Sequence, residues 1–143
     1  MAAIILTVMC LSMQIGSFRV AGLVVARVYN LWFTDPLGNH HLDVWPLMAV
    51  LLPTTAIGLY TIFLYRNRKT QALFCALNAL LIVCWYVCYF IVGQMVGDKS
   101  WGTAKFTPSW PAFLPAVSLI LYLMARRAIN ADEKIVRSLD RIR

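Results

Sequence analysis

Two uncharged, mostly apolar runs, Pro46 to Tyr65 and Thr70 to Val96, flank the basic knot Arg66-Asn67-Arg68-Lys69. A helix needs about 20 apolar residues, at roughly 1.5 Å rise each, to cross the hydrocarbon core of a bilayer. Both runs reach that length without an Asp, Glu, Lys or Arg. The chain therefore reads as an integral membrane protein whose first partner is the lipid bilayer. Composition agrees: 61% of residues are hydrophobic and 13% charged, against about a quarter charged in a soluble domain.

Two further apolar segments complete an expected set of four spans, 1–18, 46–65, 70–96 and 108–125, within one membrane domain covering 1–143. The expected fold class is all-α, a bundle of four transmembrane helices with a cytoplasmic helical extension at its carboxyl end. Met1 to Ile5 lacks the basic residues of a secretory leader, so the first segment is read as a retained span.

Thirteen Lys and Arg against six Asp and Glu give a net charge of +7. These positives bracket hydrophobic segments instead of forming a stripe with interleaved aromatics, which points to anionic lipid and away from nucleic acid. With four spans and a cytoplasmic start, the inside receives Arg66, Arg68, Lys69, Arg126, Arg127, Lys134, Arg137, Arg141 and Arg143. The outside keeps Arg19, Arg27, Lys99 and Lys105. That asymmetry places both termini in the cytoplasm. Trp32, Trp45, Trp101 and Trp110 fall in or beside the outer connections, as the headgroup preference of tryptophan requires, and Trp85 alone lies within a span.

The outer connection 19–45 is rich in β-branched and aromatic residues and carries the turn sequence Asp35-Pro36-Leu37-Gly38-Asn39. It predicts a small two-stranded periplasmic hairpin. The second outer connection, 97–107, contains Gly and reads as loop, and 126–143 reads as the cytoplasmic tail.

Weakly polar residues recur at helical spacing in each span: Ala3, Thr7, Cys10, Gln14 and Ser17; Thr54, Gly58, Thr61 and Tyr65; Gln71, Cys75, Asn78, Trp85 and Tyr89; Pro111, Pro115, Ser118, Tyr122 and Ala125. Such faces let membrane helices pack closely and hydrogen-bond across the seam. Gln14, Thr54, Thr61, Asn78 and Ser118 are the candidate interhelical contacts, with Asn78 bonding Thr54, Thr61 or Ser118. The alternative is a small oligomeric transporter or channel whose seams line a path; the spans hold no ionisable residue of the kind that marks such routes.

No catalytic motif is present: no phosphate loop, nucleophile elbow, zincin helix or paired carboxylates within a span. Cys10, Cys75, Cys84 and Cys88 lie in expected spans and read as small hydrophobes. His40, His41 and Asp43 read as a solvated turn, with no second cluster to complete a metal site. The only two histidines are adjacent in a loop, which does not suit haem. No cofactor, metal or catalytic residue is expected.

The tail runs from Ala125 without Gly or Pro and predicts a continuation of the last helix, with an apolar stripe at Ile129, Ile135 or Val136, Leu139 and Ile142. Its basic residues Arg126, Arg127, Lys134, Arg137 and Arg141 are candidate contacts for lipid or a partner. The function expected is that of a non-enzymatic accessory or assembly subunit of a larger inner-membrane complex.

Arg127-Ala128-Ile129, Asp132-Glu133-Lys134, Val136-Arg137-Ser138 and Asp140-Arg141-Ile142-Arg143 resemble the closing signature of a family of small bacterial four-helix inner-membrane proteins, catalogued as a domain of unknown function. The stretch Phe63 to Gln71, followed by Cys75-Ala76-Leu77-Asn78, is similar to that family's junction of second and third helices. The resemblance covers most of the chain and implies four spans with cytoplasmic ends, and no activity. Members of that family usually begin with a short basic, glutamine-containing stretch before the first span, whereas this chain opens Met1-Ala2-Ala3-Ile4; a start codon assigned too late would explain the difference.

Overall fold

The computed structural model describes residues 1–64, 67–101 and 104–140, with the backbone alone at 97–101 and 137–140. Arg66 and Arg141 lie outside these residues, as do Arg143 and the side chain of Arg137. In chain order the elements are α1 (Ala2–Ser12), β1 (Gly16–Val20), β2 (Leu23–Val28), β3 (Phe33–Thr34), β4 (His40–His41), α2 (Trp45–Phe63), α3 (Arg68–Trp101), β5 (Lys105–Pro108), a 3-10 turn (Trp110–Phe113) and α4 (Leu114–Asp140).

The all-α, four-span expectation is corrected. Four helices share the fold with a five-stranded antiparallel sheet of order β4-β3-β2-β1-β5. Among the described residues three helical stretches, Trp45–Phe63, Arg68–Val96 and Trp110–Val136, are long and apolar enough to cross a membrane. The expected span 1–18 fails because α1 has 11 residues, about 16 Å of helix against the roughly 30 Å of a hydrocarbon core. Met13 is already extended, with φ −99° and ψ 161°. Ile15 then donates its N–H to Val28 O at 2.9 Å, and Phe18 lies 1% exposed beneath the sheet. An uncharged apolar run carries no period that separates a buried strand from a buried helix, so hydropathy alone reads Ile15 to Phe18 as more span.

The expected two-stranded hairpin is likewise part of something larger. The Asp35–Asn39 turn does join two strands, β3 and β4, each of two residues. The longer hairpin, β1–β2, turns at Ala21–Gly22, where both residues have positive φ, 50° and 86°. This conformation matches the twist of flanking strands in a two-residue loop. The connection 97–107, expected to be loop, holds the end of α3 and the start of β5, which pairs with β1 from Gly16↔Pro108 to Arg19↔Lys105. That pairing joins residues from opposite ends of the chain, which no local pattern reveals.

The sheet docks where α1 ends, α2 begins and α3 approaches its end. Its inner face, Phe18, Ala26, Val28 and Phe33, shares a core with Leu47, Leu51, Trp85 and Tyr89. Phe106 is the wedge: its ring lies 5.1 Å from Phe18 and 5.2 Å from Tyr89. A Cβ at Gly93 would sit 2.9 Å from that ring and one at Gly16 2.7 Å, so α3 and β1 close on Phe106 only because both positions lack side chains. A second core, Ala3, Cys75, Ala79, Ile82 and Tyr122, joins α1, α3 and α4 farther from the sheet.

The apolar windows of the three long helices are only 28%, 33% and 28% buried within the chain. Their remaining apolar side chains, among them Leu59, Leu80, Phe90, Met95 and Ile120, point outward. In water such a surface far exceeds the patches monomeric proteins carry.

Ala21 holds a left-handed conformation that costs a non-glycine, non-Asn residue about 1 kcal/mol. Ala21→Asn, which creates the favoured Asn-Gly turn, is expected to raise stability by up to about 1 kcal/mol, read as a higher thermal midpoint in detergent.

Candidate functional site

The polar side chains buried between elements fall at two levels. Nearest the sheet is Asn30, 1% exposed. Its Nδ2 donates to Cys10 O at 2.7 Å, its Oδ1 accepts from Trp85 Nε1 at 3.1 Å, and its backbone carbonyl accepts from Met48 N at 3.1 Å. Cys10 is in the last turn of α1 and Met48 in the first turn of α2, where helices leave carbonyls and N–H groups unpaired. One residue therefore caps two helices and binds a third. Ile15 acts beside it: its carbonyl accepts from Tyr89 Oη and from Ser109 N, both at 2.9 Å. Tyr86 Oη adds a bond to Ala112 O at 2.8 Å, holding α3 to the turn that opens α4.

The second level crosses the helices. Asn78 is fully buried on α3. With its amide oriented so that nitrogen meets oxygen, Nδ2 donates to Thr54 O and Oδ1 accepts from Gly58 N, both at 3.2 Å. Ser118 Oγ on α4, also fully buried, lies 3.0 Å from Ala3 O on α1 and 3.2 Å from Leu114 O, with one proton to offer the two. Gly58 is the crossing point: a Cβ there would stand 2.5 Å from Tyr122 Oη and 3.0 Å from Ile4 Cγ1.

Of the residues singled out from sequence, Asn78 and Thr54 meet through the backbone carbonyl of Thr54, whose own hydroxyl donates to Val50 O at 2.9 Å. Thr61 Oγ1 donates to Ile57 O at 2.6 Å, and Thr61 O accepts from Gln71 Nε2 at 3.3 Å across the α2–α3 turn. Ser118 joins α4 to α1. Gln14 stands apart: it lies between α1 and β1, and its Nε2 donates to Gly16 O at 3.0 Å.

In the tail, Arg126, Arg127 and Lys134 are exposed on α4. The same helix leans on the start of α3 through Arg68 Nη1–Asp132 Oδ2 at 3.3 Å and Lys69 Nζ–Glu133 Oε1 at 3.9 Å. Those pairs involve exposed groups and contribute at most about 1 kcal/mol each. Among the described residues no group of three or more His, Cys, Asp or Glu is placed to hold a metal ion.

Asn30 escaped the sequence reading, and its one local signal is weak: a lone Asn after the β-branched run that ends at Val28. Tyr122 was seen as part of a seam, whereas its Oη, like Asp35 Oδ1 in the β3–β4 turn, is buried without a hydrogen-bond partner among the described residues.

Among the described residues, fold and site together define three helices long and apolar enough to cross a membrane, knit to a short fourth helix and capped at one end by a sheet. A family model described as "Domain of unknown function (DUF4293)" matches residues 1–142, and the chain belongs to that family. No curated protein matches it.

Asn30→Ala is expected to leave Cys10 O and Trp85 Nε1 buried and unpaired, costing about 2–4 kcal/mol. Asn78→Ala leaves behind Thr54 O and Gly58 N, which stand at the i, i+4 spacing of a helical bond and can satisfy each other, so about 1 kcal/mol is expected. Thermal unfolding followed by circular dichroism in one detergent would rank the two; equal losses would contradict the capping role.

Proposed function

We infer that the protein is a non-enzymatic, multi-pass protein of a bacterial inner membrane that serves as an accessory or assembly subunit of a larger complex. The supporting observation is how its interior polarity is used. Asn78 reaches the backbone of α2, Ser118 that of α1, and Asn30 and Trp85 bond each other while Asn30 caps α1. Polar groups along a solute path must be available to the solute, whereas these are engaged by neighbouring elements, as in a helix assembly built for packing.

Charge sets the orientation in this reading. Among the described side chains, the end bearing the α2–α3 junction and the α4 extension carries Arg68, Lys69, Arg126, Arg127 and Lys134, and the sheet end carries Arg19, Arg27 and Lys105. The positive-inside bias then puts both termini in the cytoplasm and the sheet in the periplasm. The cytoplasmic contact is the tail helix, where exposed Ile135 and Val136 accompany Arg126, Arg127 and Lys134. On the other side, antiparallel pairing brings the Ala21–Gly22 and Asp35–Asn39 turns to one rim of the sheet, with Leu23 and Leu37 75% and 86% exposed.

Two measurements test the proposal. In a background with the native cysteines replaced, a membrane-impermeant maleimide added to intact spheroplasts is expected to label Leu37→Cys and spare Asn130→Cys; the reverse pattern overturns the orientation. A photo-crosslinker at Val136 is expected to capture another membrane subunit, with copurification in mild detergent lost on deleting residues 132–143. A protein that emerges alone, and whose tail can be deleted without phenotype, overturns the subunit role.

A further inference from the structure

The register of the sheet sorts its side chains onto two faces. Phe18, Ala26, Val28, Phe33 and Phe106 turn inward to the helices, so the residues that alternate with them face outward. One outward row crosses all five strands as His40, Thr34, Arg27, Ser17 and Thr107, each the direct partner of the next. A second row runs Val24, Arg19, Lys105. Arg19, Arg27 and Lys105 are exposed, and neither row holds an Asp or Glu. Among the described residues none of the three cations enters an ion pair. Asp35 is held by His41 Nε2 at 2.9 Å, and Asp43 lies outside the strands. Like charges directly opposite across an antiparallel pair repel. The Arg19–Lys105 pair is therefore a local cost that an anion placed between the two removes. Arg27 shares the preference: its cross-strand neighbours are Ser17 and Thr34, and a guanidinium set among hydroxyl donors suits the oxygens of a phosphate.

We propose that this outward face seats the phosphate groups of anionic phospholipids, held by Arg19, Arg27 and Lys105. Depth favours lipid over an acidic segment of another protein. Lys69 to Tyr89 covers about 30 Å of α3, one hydrocarbon thickness, and Tyr89 is where Ile15 joins α3. Ser17 stands two residues beyond Ile15, at most about 7 Å farther out. Headgroups widen a bilayer from about 30 Å to about 40–45 Å, so the row through Ser17, Arg27 and Thr107 lies at their level. Arg19 and Lys105 follow two residues on, with stems long enough to reach back to it.

The lipid seat rests on the membrane placement proposed above but on neither its orientation nor the subunit role, so its failure leaves the labelling and crosslinking results intact. In a background with the native cysteines replaced, a bimane fluorophore on Val24→Cys reports from the face itself. The full chain, delipidated in a neutral detergent, is titrated with dioleoylphosphatidylglycerol and separately with dioleoylphosphatidylcholine. A saturable emission shift is expected at a concentration at least tenfold lower for the anionic lipid. Arg19→Gln and Arg27→Gln are each expected to raise that midpoint about fivefold, while the pair Arg126→Gln and Arg127→Gln leaves it unchanged. Lys105→Gln is expected to raise the midpoint similarly and yet keep or raise the thermal midpoint of the lipid-free protein, because it removes a repulsion. Equal response to the two lipids, or an unchanged midpoint in the Arg19 and Arg27 variants, overturns the proposal; Lys105→Gln serves in their place if they prove misfolded. A response to polyglutamate without one to phosphatidylglycerol also overturns it and assigns the face to an acidic protein.

Discussion

The ends of helices that sit in apolar surroundings carry backbone groups that must be paired, and in this chain the pairing is concentrated on Asn30. Its side chain takes the Cys10 carbonyl in the last turn of α1 and the indole of α3, and its main chain takes an N–H from the first turn of α2. Because Asn30 lies at the end of a strand hairpin, the sheet is positioned by the same bonds that close the helices. Ile15 repeats the arrangement with its backbone alone, bonded to β2, to Tyr89 and to the segment that opens α4. Strand and helix are therefore mutually dependent, and a bundle of helices alone would leave these ends open.

This explains why the first apolar segment changes conformation midway. Between α2 and α4, α1 shares the core at the level of Cys75 to Ile82 of α3, and β1 takes over where Tyr89 and Phe106 lie. A continued helix would bury its side chains equally well but would supply no edge for β2 and β5. Phe106, held between Gly16 and Gly93, marks how closely the strand follows α3. The two cores then differ in character. The one beneath the sheet is aromatic, with Trp85 and Tyr89 stacked at 5.1 Å, and every polar atom described above is paired. The one at the opposite end contains Gly58 and the hydroxyl of Tyr122, which has no partner among the described residues.

What could be read from the sequence follows the range of the interaction responsible. The helices α2 and α3 were visible because charge-free length and the basic knot between them are local properties. Asn78 and Ser118 were visible because spacings of three and four place them on one face with other small or polar residues, and both are fully buried. The end of α1 was hidden, since Met13 to Phe18 is as free of charge as the helix before it and its strand conformation depends on Val28 and Pro108. Strand β5 has four residues and a partner some ninety positions away. Tyr122 could be assigned to a face, but that its hydroxyl meets no partner among the described residues depends on how the helices pack.

The sheet's depth decides whether this architecture suits a bilayer. Lys69 to Trp85 covers about 24 Å of α3 at 1.5 Å per residue, and Trp85 is where Asn30 attaches the sheet. Taking the charged residues at 68 and 69 as one border of a hydrocarbon core roughly 30 Å thick, the lowest strand residues stand near the opposite border. Trp45 and Trp110, 59% and 73% exposed, mark the same level from α2 and from the turn before α4. Open sheet edges are not tolerated against lipid, and both edges here are brief, two residues in β4 and four in β5, the latter bounded by Lys105 and Pro108. A proline at the deeper end removes one N–H that would otherwise face an apolar medium, and a lysine at the shallower end reaches water. The edge is therefore graded with depth, as a sheet lying at either face of a bilayer requires.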